Sequence, residues 1–245
     1  MDEIVQRPVN ELAREIERLG EAAWPARETA VVQGWLLRFS DGYSSRANSV
    51  STLAFEGELS QAIAAVELAY RSRGLVPQFQ VSPASRPLEL EQELIARGYR
   101  HRTPSLLMCA STVALATTVA EAEISTTAGP DFVHLTLQGS HSPADGSERL
   151  ATLARITLSK AYLVLRASDE AIACGASVIS GAWASVYVMR TAEKHRRHGH
   201  GGSILAAIAK WAHQRGATQL YLQVDETNRA ARALYQRAGF RDAYR

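Results

Sequence analysis

One octet limits this chain's fold more than any other feature. It is Arg196-Arg197-His198-Gly199-His200-Gly201-Gly202-Ser203. A strand-like run, Ala184–Met189, precedes it. After it Ile204, Leu205, Ile208, Trp211 and Ala212 fall at helical spacing. A strand, a glycine turn and then a helix aim backbone N–H groups at an anion. Glycine permits close approach, and a helix start leaves its first amides without acceptors. Lys194, Arg196 and Arg197 add charge, with His195 and His198 as partial cations. The octet therefore reads as a pyrophosphate cradle.

Two nucleotide-binding patterns do not fit it. A Walker loop ends in Gly-Lys-Ser/Thr, and Gly201-Gly202-Ser203 lacks the lysine. A dinucleotide fingerprint needs G-x-G-x-x-G, whereas position 204 is Ile; Asp225 lies near the acidic position of that pattern, but G-x-G alone is weak. A basic loop that merely caps a helix remains an equal alternative on the octet alone.

The downstream residues decide between them. A β-like run, Leu220–Val224, leads into Asn228-Arg229-Ala230-Ala231-Arg232-Ala233-Leu234-Tyr235-Gln236-Arg237-Ala238-Gly239-Phe240. Here the chain resembles the GNAT superfamily of N-acetyltransferases, which pairs an R/Q-x-x-G-x-G/A loop with N-x-x-A-x-x-L-Y-x-x-x-G-F. The two motifs stand in that order, about 30 residues apart. The resemblance is strong over 183–241 and weaker upstream. The octet lacks the family's frequent preceding proline, since Glu193 stands there. The chain also runs only to Arg245, so the family's usual final strand is expected to be short or supplied otherwise.

Composition agrees with a soluble enzyme of one large or two small domains. No apolar run approaches the ~20 residues of a membrane span. The charged amphipathic start does not read as a signal peptide. Cys109 and Cys174, two thiols without metal spacing, suggest a reducing cytoplasm. Residues 1–117 carry 12 Lys/Arg and 14 Asp/Glu, and residues 118–245 carry 15 and 11. That modest excess gathers near Arg190–His198. It suits one small anionic ligand better than a nucleic acid or a membrane surface.

An internal repeat is the second clue. Arg73-Gly74-Leu75 through Val81 resembles Arg215-Gly216-Ala217 through Val224. Leu94–Arg100 resembles Tyr235–Arg241 in the same way. The expectation is a tandem arrangement, with a degenerate GNAT-like domain at 1–117 and a catalytic one at 118–245. The linker is expected around Ala114–Thr118. In the first domain Ala54–Leu59 stands where the octet should be, and Glu56 and Glu58 would repel a pyrophosphate. One cofactor site per chain follows.

Local patterns fill in the rest. The first half reads as a helix over 2–20, a hairpin of 29–40 with 44–53 around Asp41-Gly42, and a helix over 56–73. A strand at 78–81, a helix at 87–97 and a strand at 105–110 close it. The second half reads as a strand at 119–125, helices at 129–139 and 147–159, and a hairpin of 162–167 with 171–179. The central strand 183–191, the loop and helix to about 214, a strand at 219–224 and a helix at 228–237 complete it. The fold class is α+β (an α/β sandwich). The GNAT likeness implies a mixed, largely antiparallel central sheet flanked by helices, in two tandem copies.

The resemblance implies a mechanism as well. Acetyl-CoA is the co-substrate, and its pyrophosphate lies on the octet (Arg196, Arg197, His198, Gly199, His200, Gly201, Gly202, Ser203). Its pantetheine arm runs along the main chain of Met189, Arg190 and Thr191, and Arg190 and Lys194 are candidate charge partners. Asn228 fixes the cofactor arm or simply caps its helix. Tyr235 is the general acid for the leaving thiolate, and a backbone N–H near Met189 steadies the oxyanion. The base is not assigned among Glu193, Asp225, Glu226 and Tyr187, and no metal constellation is present.

The acceptor is an amine, on a small molecule or a protein, and a homodimer is left open. Arg38, Arg46 and Asn48 either face the acceptor or tie the first hairpin together. Two other readings stand beside catalysis: a non-catalytic acyl-CoA sensor and a binder of nucleotide phosphates.

Overall fold

A computed structural model describes residues 7–102, 104–116 and 121–245. The expected linker beyond Ala116, the start of the strand expected at 119 and the first residues of the expected N-terminal helix lie outside these. Two compact units form: 1–104 with Tyr244–Arg245, and 105–243.

The first unit contains α1 (Val9–Ala23), β1 (Glu28–Val32), β2 (Trp35–Phe39), β3 (Val50–Ser51), α2 (Leu59–Arg71), β4 (Phe79–Gln80) and α3 (Leu90–Ala96). Its four strands lie in chain order. The first hairpin differs from the sequence expectation. The reversal between β1 and β2 is a two-residue turn at Gln33 and Gly34, both with positive φ, which pairs Val32 with Trp35. Such turns match the twist of the flanking strands. Asp41-Gly42 instead opens an irregular segment that leads to β3.

Its core gathers Trp35, Leu37, Phe39, Ile63, Val66, Tyr70 and Leu90. Arg38 is buried within it, and its guanidinium donates to the Ser49 carbonyl and hydroxyl, both at 2.9 Å. Asn48 accepts from the Ser40 and Gly42 amides and donates to the Ser44 carbonyl. Arg46 stacks over the Trp24 ring. Thus Arg38 and Asn48 spend their polar groups tying this unit together.

The second unit contains β5 (Ser105–Ser111), α4 (Thr112–Ala116), β6 (Glu123–Ser125), α5 (Pro130–Gln138), α6 (Pro143–Arg155), β7 (Lys160–Ala167) and β8 (Glu170–Ser180). It continues through β9 (Trp183–Thr191), α7 (His200–His213), β10 (Gln219–Asp225), α8 (Arg229–Arg237) and β11 (Arg241–Tyr244). The sheet order is β11-β5-β10-β9-β8-β7-β6. β6 through β9 pair antiparallel in succession, and β10 runs parallel to β9 and antiparallel to β5. The strand at 105–111, read from sequence as the end of the first domain, therefore belongs to the second unit's sheet. Its Leu106, Met108 and Ala110 join the core with Leu220, Leu222 and Val224 of β10. The four-residue β11 lies at the edge of this sheet, next to β5.

The two faces of this sheet are covered differently. Ala161, Leu163, Ala173, Ala184 and Val186 pack against Ile204, Leu205 and Ile208 of α7. On the opposite face, Phe132 of α5 stands edge-on to Tyr162 at 4.9 Å. α7 is apolar nearly all round, which suits a helix buried against a sheet.

The repeat noticed in the sequence coincides with four identical helix ends. Gly74, Gly98, Gly216 and Gly239 all have positive φ. In each, the residue after the glycine donates to a carbonyl five positions back: Leu75 to Tyr70, Tyr99 to Leu94, Ala217 to Ala212 and Phe240 to Tyr235. This is the Schellman arrangement, which favours glycine because of its left-handed backbone.

Candidate functional site

The octet folds as its composition demands. β9 ends at Thr191, a single 3-10 turn spans Glu193–His195, and α7 begins at His200. Arg197 and Gly199 hold positive φ, 66° and 87°. Backbone bonding resumes only where Gly202 and Ser203 donate to the Gly199 carbonyl, at 2.8 and 3.2 Å. Among the described residues, the amides of Arg197, His198, Gly199, His200 and Gly201 therefore have no acceptor, and no side chain caps α7. Alternating backbone handedness beside an uncapped helix start leaves a positively polarised row of amides that suits an anion.

The start of α2 is the opposite case. There the Glu58 carboxylate accepts from the Ser60 and Gln61 amides at 2.7 and 2.8 Å. The first unit thus fills its helix N-terminus with its own negative charge.

The cations near the octet divide into two groups. Lys194 pairs with Glu170 at 2.8 Å, and His195 Nε2 lies 3.5 Å from the same carboxylate. The Lys194 hydrogen bond holds Glu170 below the ordinary carboxylate range. Lys194 is therefore committed to a protein carboxylate. Arg196 and Arg197 are exposed and form no ion pair among the described residues, so they remain available to an anion. Burial lowers the His200 pKa, and His198 and His195 lower it further.

Beside the octet the sheet opens. β9 and β10 pair only at Trp183–Gln219, Ala184–Leu220 and Ser185–Tyr221. Beyond these the edge of β9 from Val186 to Thr191 has no partner in β10. β9 also carries a bulge. Cys174 pairs with Arg190 and Ala176 with Tyr187, so Val188 and Met189 together oppose Gly175. Val188 takes φ 48°, a left-handed conformation that costs a β-branched residue roughly 1–2 kcal/mol. A Cβ on Gly175 would meet Met189 Sδ at 2.9 Å and Ile204 Cγ2 at 2.6 Å, so glycine opposite the bulge gives α7 and Met189 their room.

α8 packs against the start of α7. Asn228 caps it, with Oδ1 accepting from the Ala231 amide at 3.1 Å. Its side-chain oxygen is thus used locally, as the capping alternative required. Leu234 packs against Gly201, where a Cβ would come within 2.8 Å of its Cδ2. This contact seats the α7 start against the helix that carries Tyr235. Tyr235 is buried, packs on Phe240 and forms no hydrogen bond through its hydroxyl among the described residues. Burial raises its pKa, partly opposed by Arg190, so it carries its proton at neutral pH.

The base candidates separate by placement. Glu193 is exposed, and Asp225 accepts from the Thr227 amide and hydroxyl. Tyr187 is buried with its hydroxyl 3.5 Å from that of Tyr221. No cluster of three or more His, Cys, Asp or Glu that could hold a metal occurs among the described residues.

Sequence reasoning passed over a polar group under α5 and α6. Asp145 and Glu148 are buried on α6, and Asp145 binds Arg149 at 2.9 Å. Arg190 lies within electrostatic reach of Asp145, Arg149 and Tyr235. The Asp145–Arg149 spacing of four was the available signal, but it also suits any solvated helix face.

Comparison with known proteins gives the family. Residues 12–245 match a family model described as "Probable histone acetyltransferase Rv0428c C-terminal". The chain is 31% identical to "Uncharacterized N-acetyltransferase YobR" of Bacillus subtilis (strain 168), over 93% of this chain and 94% of that protein. It is 25% identical to "Probable histone acetyltransferase Rv0428c" of Mycobacterium tuberculosis (strain ATCC 25618 / H37Rv), over 97% of this chain and 74% of the relative. Its fold is similar to a GCN5-related N-acetyltransferase from Kribbella flavida, with TM-score 0.70, 16% identity and coverage of 95% and 93% of the two chains. It is also similar to a tandem GNAT protein from the clavulanic acid biosynthesis pathway, with TM-score 0.61, 16% identity and coverage of 94% and 85%. An N-acetyltransferase fold thus carries the uncapped anion loop, the parted strands and a protonated tyrosine, and the chain belongs to the GNAT family of N-acetyltransferases.

Proposed function

We propose that the second unit transfers an acetyl group from acetyl-CoA to a primary amine by direct attack within a ternary complex. The observation that carries this reading is the row of five acceptor-free amides, Arg197–Gly201, next to the unpaired edge of β9. The amides hold the pyrophosphate, with Arg196, Gly202 and Ser203 around it, and the main chain of Met189, Arg190 and Thr191 holds the pantetheine arm. Asn228 serves this site by fixing the start of α8. Acetyl-CoA supplies the activated thioester.

The neutral amine nitrogen bonds to the thioester carbon, the C–S bond breaks, and the nitrogen gives up one proton to solvent, from which Tyr235 is reprotonated. A β9 amide near Met189 hydrogen-bonds the oxyanion, and Tyr235 gives its proton to the departing sulfur. The first unit is a degenerate GNAT-like domain without a cofactor site, a reading supported by the Glu58 carboxylate on the α2 amides. We place the protein in the cytoplasm. Cys109 and Cys174 are free and buried, and burial pushes both thiols up to about 12. Among the described residues no helix is long and apolar enough to cross a membrane.

Thiol release from acetyl-CoA with a panel of amines tests the reaction, and calorimetry counts the sites. The expected result is amine-dependent release and one CoA per chain. CoA binding without release under any amine would instead establish a sensor. ATP or NAD displacing CoA would establish a general phosphate binder.

A further inference from the structure

The bulge in β9 determines where Arg190 points. Ala184 and Val186 face α7, and strict alternation would send residue 190 to the same side. The extra residue at Val188 shifts the pattern by one. Met189 then packs toward α7, and Arg190 comes to lie beside its cross-strand partner Cys174 on the face covered by α5. The left-handed backbone of Val188 is thus spent on turning a guanidinium to the side opposite α7.

The surroundings accommodate that guanidinium but do not neutralise it. Its stem crosses Gly139 at the end of α5, where a Cβ would come within 2.2 Å of Arg190 Cδ and 2.7 Å of Nε. Glycine at 139 is what lets it pass. Arg190 Nη1 donates to the Met189 carbonyl at 3.0 Å, while its buried Nε has no acceptor. Among the described residues no carboxylate lies within ion-pair distance of it. The nearby Asp145 is held by Arg149 at 2.9 Å and by the His141 amide at 3.3 Å. Glu148, also buried on α6, has an interaction of its own. Arg190, beside Tyr235, thus has no ion-pair partner among the described residues.

A half-buried guanidinium without a counter-ion is unfavourable, and its planar fork matches a carboxylate in two parallel hydrogen bonds. We propose that Arg190 binds an anionic group of the acceptor, so that the preferred substrates are amines carrying a carboxylate. This rests on the acetyl-transfer reading above. Desolvation lowers the Arg190 pKa and Arg149 lowers it further, opposed by Cys174, Asp145 and Tyr235. The competing role is local. An Arg190 that served only Tyr235 or the leaving sulfur would affect all amines alike.

The experiment compares carboxylated amines with their decarboxylated counterparts in the thiol-release assay, for wild type, Arg190→Gln and Arg190→Lys. Wild type should favour the carboxylated member by about 10-fold or more in kcat/KM. Arg190→Gln should lower that ratio by about 10–100-fold, mainly through KM, consistent with loss of a charged hydrogen-bonded pair. Arg190→Lys should restore part of it. Equal use of both members by wild type, or an equal loss on both in Arg190→Gln, would overturn the proposal. If no amine is turned over, the acetyl-transfer reading fails by itself. Calorimetric titration of the same carboxylates into CoA-loaded protein then decides the anion site: binding lost in Arg190→Gln supports it, and binding absent from wild type or unchanged in the variant overturns it.

Discussion

Leu234 of α8 lies so close to Gly201 of α7 that a Cβ at position 201 would come within 2.8 Å of its Cδ2. The contact joins the anion loop to the helix bearing Tyr235, so the two motifs recognised in the sequence form one packed unit. Gly201→Ala should be tolerated by a small shift of the flexible leucine end. Gly201→Val should overpack the junction, destabilise the protein by about 1–3 kcal/mol and weaken CoA binding. Denaturant unfolding and CoA calorimetry on the same samples check both effects. Unchanged stability in Gly201→Val would contradict the packing role.

Tyr235→Phe removes the proposed proton donor and leaves the ring in place. Turnover should fall by about 100-fold or more, while the Kd for CoA stays within twofold. Because burial raises the tyrosine pKa, the acid stays protonated below its ordinary value of 10.0. Activity that depends on this proton is lost only as pH rises through the raised pKa, so wild type should show no Tyr235-linked decline between pH 7 and 9. A decline there that vanishes in Tyr235→Phe would refute the assignment.

The Glu58 cap predicts a purely structural effect. Glu58→Ala removes both hydrogen bonds to the α2 amides and should cost about 1 kcal/mol, readable as a Tm lower by a few degrees. The stoichiometry of CoA should remain one per chain. A change in stoichiometry would show that the first unit takes part in cofactor binding.

The histidines of the octet predict a pH effect on binding. The His200 pKa is lowered by burial, then by His198 and His195, so in the free protein its imidazole is neutral at pH 7. An anion in the cradle favours the protonated ring and reverses part of that shift. Binding should therefore take up protons, and CoA affinity should rise as pH falls from 7 toward 5. Calorimetry in buffers of different ionisation enthalpy detects the proton, and His200→Asn should flatten the dependence. Proton release on binding would be the contrary result.

Much of the second unit was legible because its signals are local. The alternation in 183–191, the glycines of the octet, the apolar spacing of α7 and the Asn228 cap each act within a few residues. Long-range pairing was not legible. β5 reads like the end of the first half, yet it pairs along its whole length with β10, from Ser105 opposite Asp225 to Ser111 opposite Gln219. The first hairpin was misplaced for another reason. Asp41-Gly42 is the stronger turn dipeptide, but the register between Val32 and Trp35 places the tight turn at Gln33-Gly34.

The sequence by itself determined that a cationic glycine loop joins a strand to a helix, and that a matching tyrosine helix follows. Those features are set by backbone freedom at glycine and by apolar spacing along one chain. Only the tertiary structure decided which way Arg190 points. Its direction depends on one extra residue at Val188, held in a left-handed conformation by the strand opposite and by the helix packed over Gly175. It also decided which helix start is open. Glu58 folds back onto α2, while no side chain reaches the amides at the start of α7. Both outcomes turn on which groups meet across the fold, and spacing along the chain does not encode that.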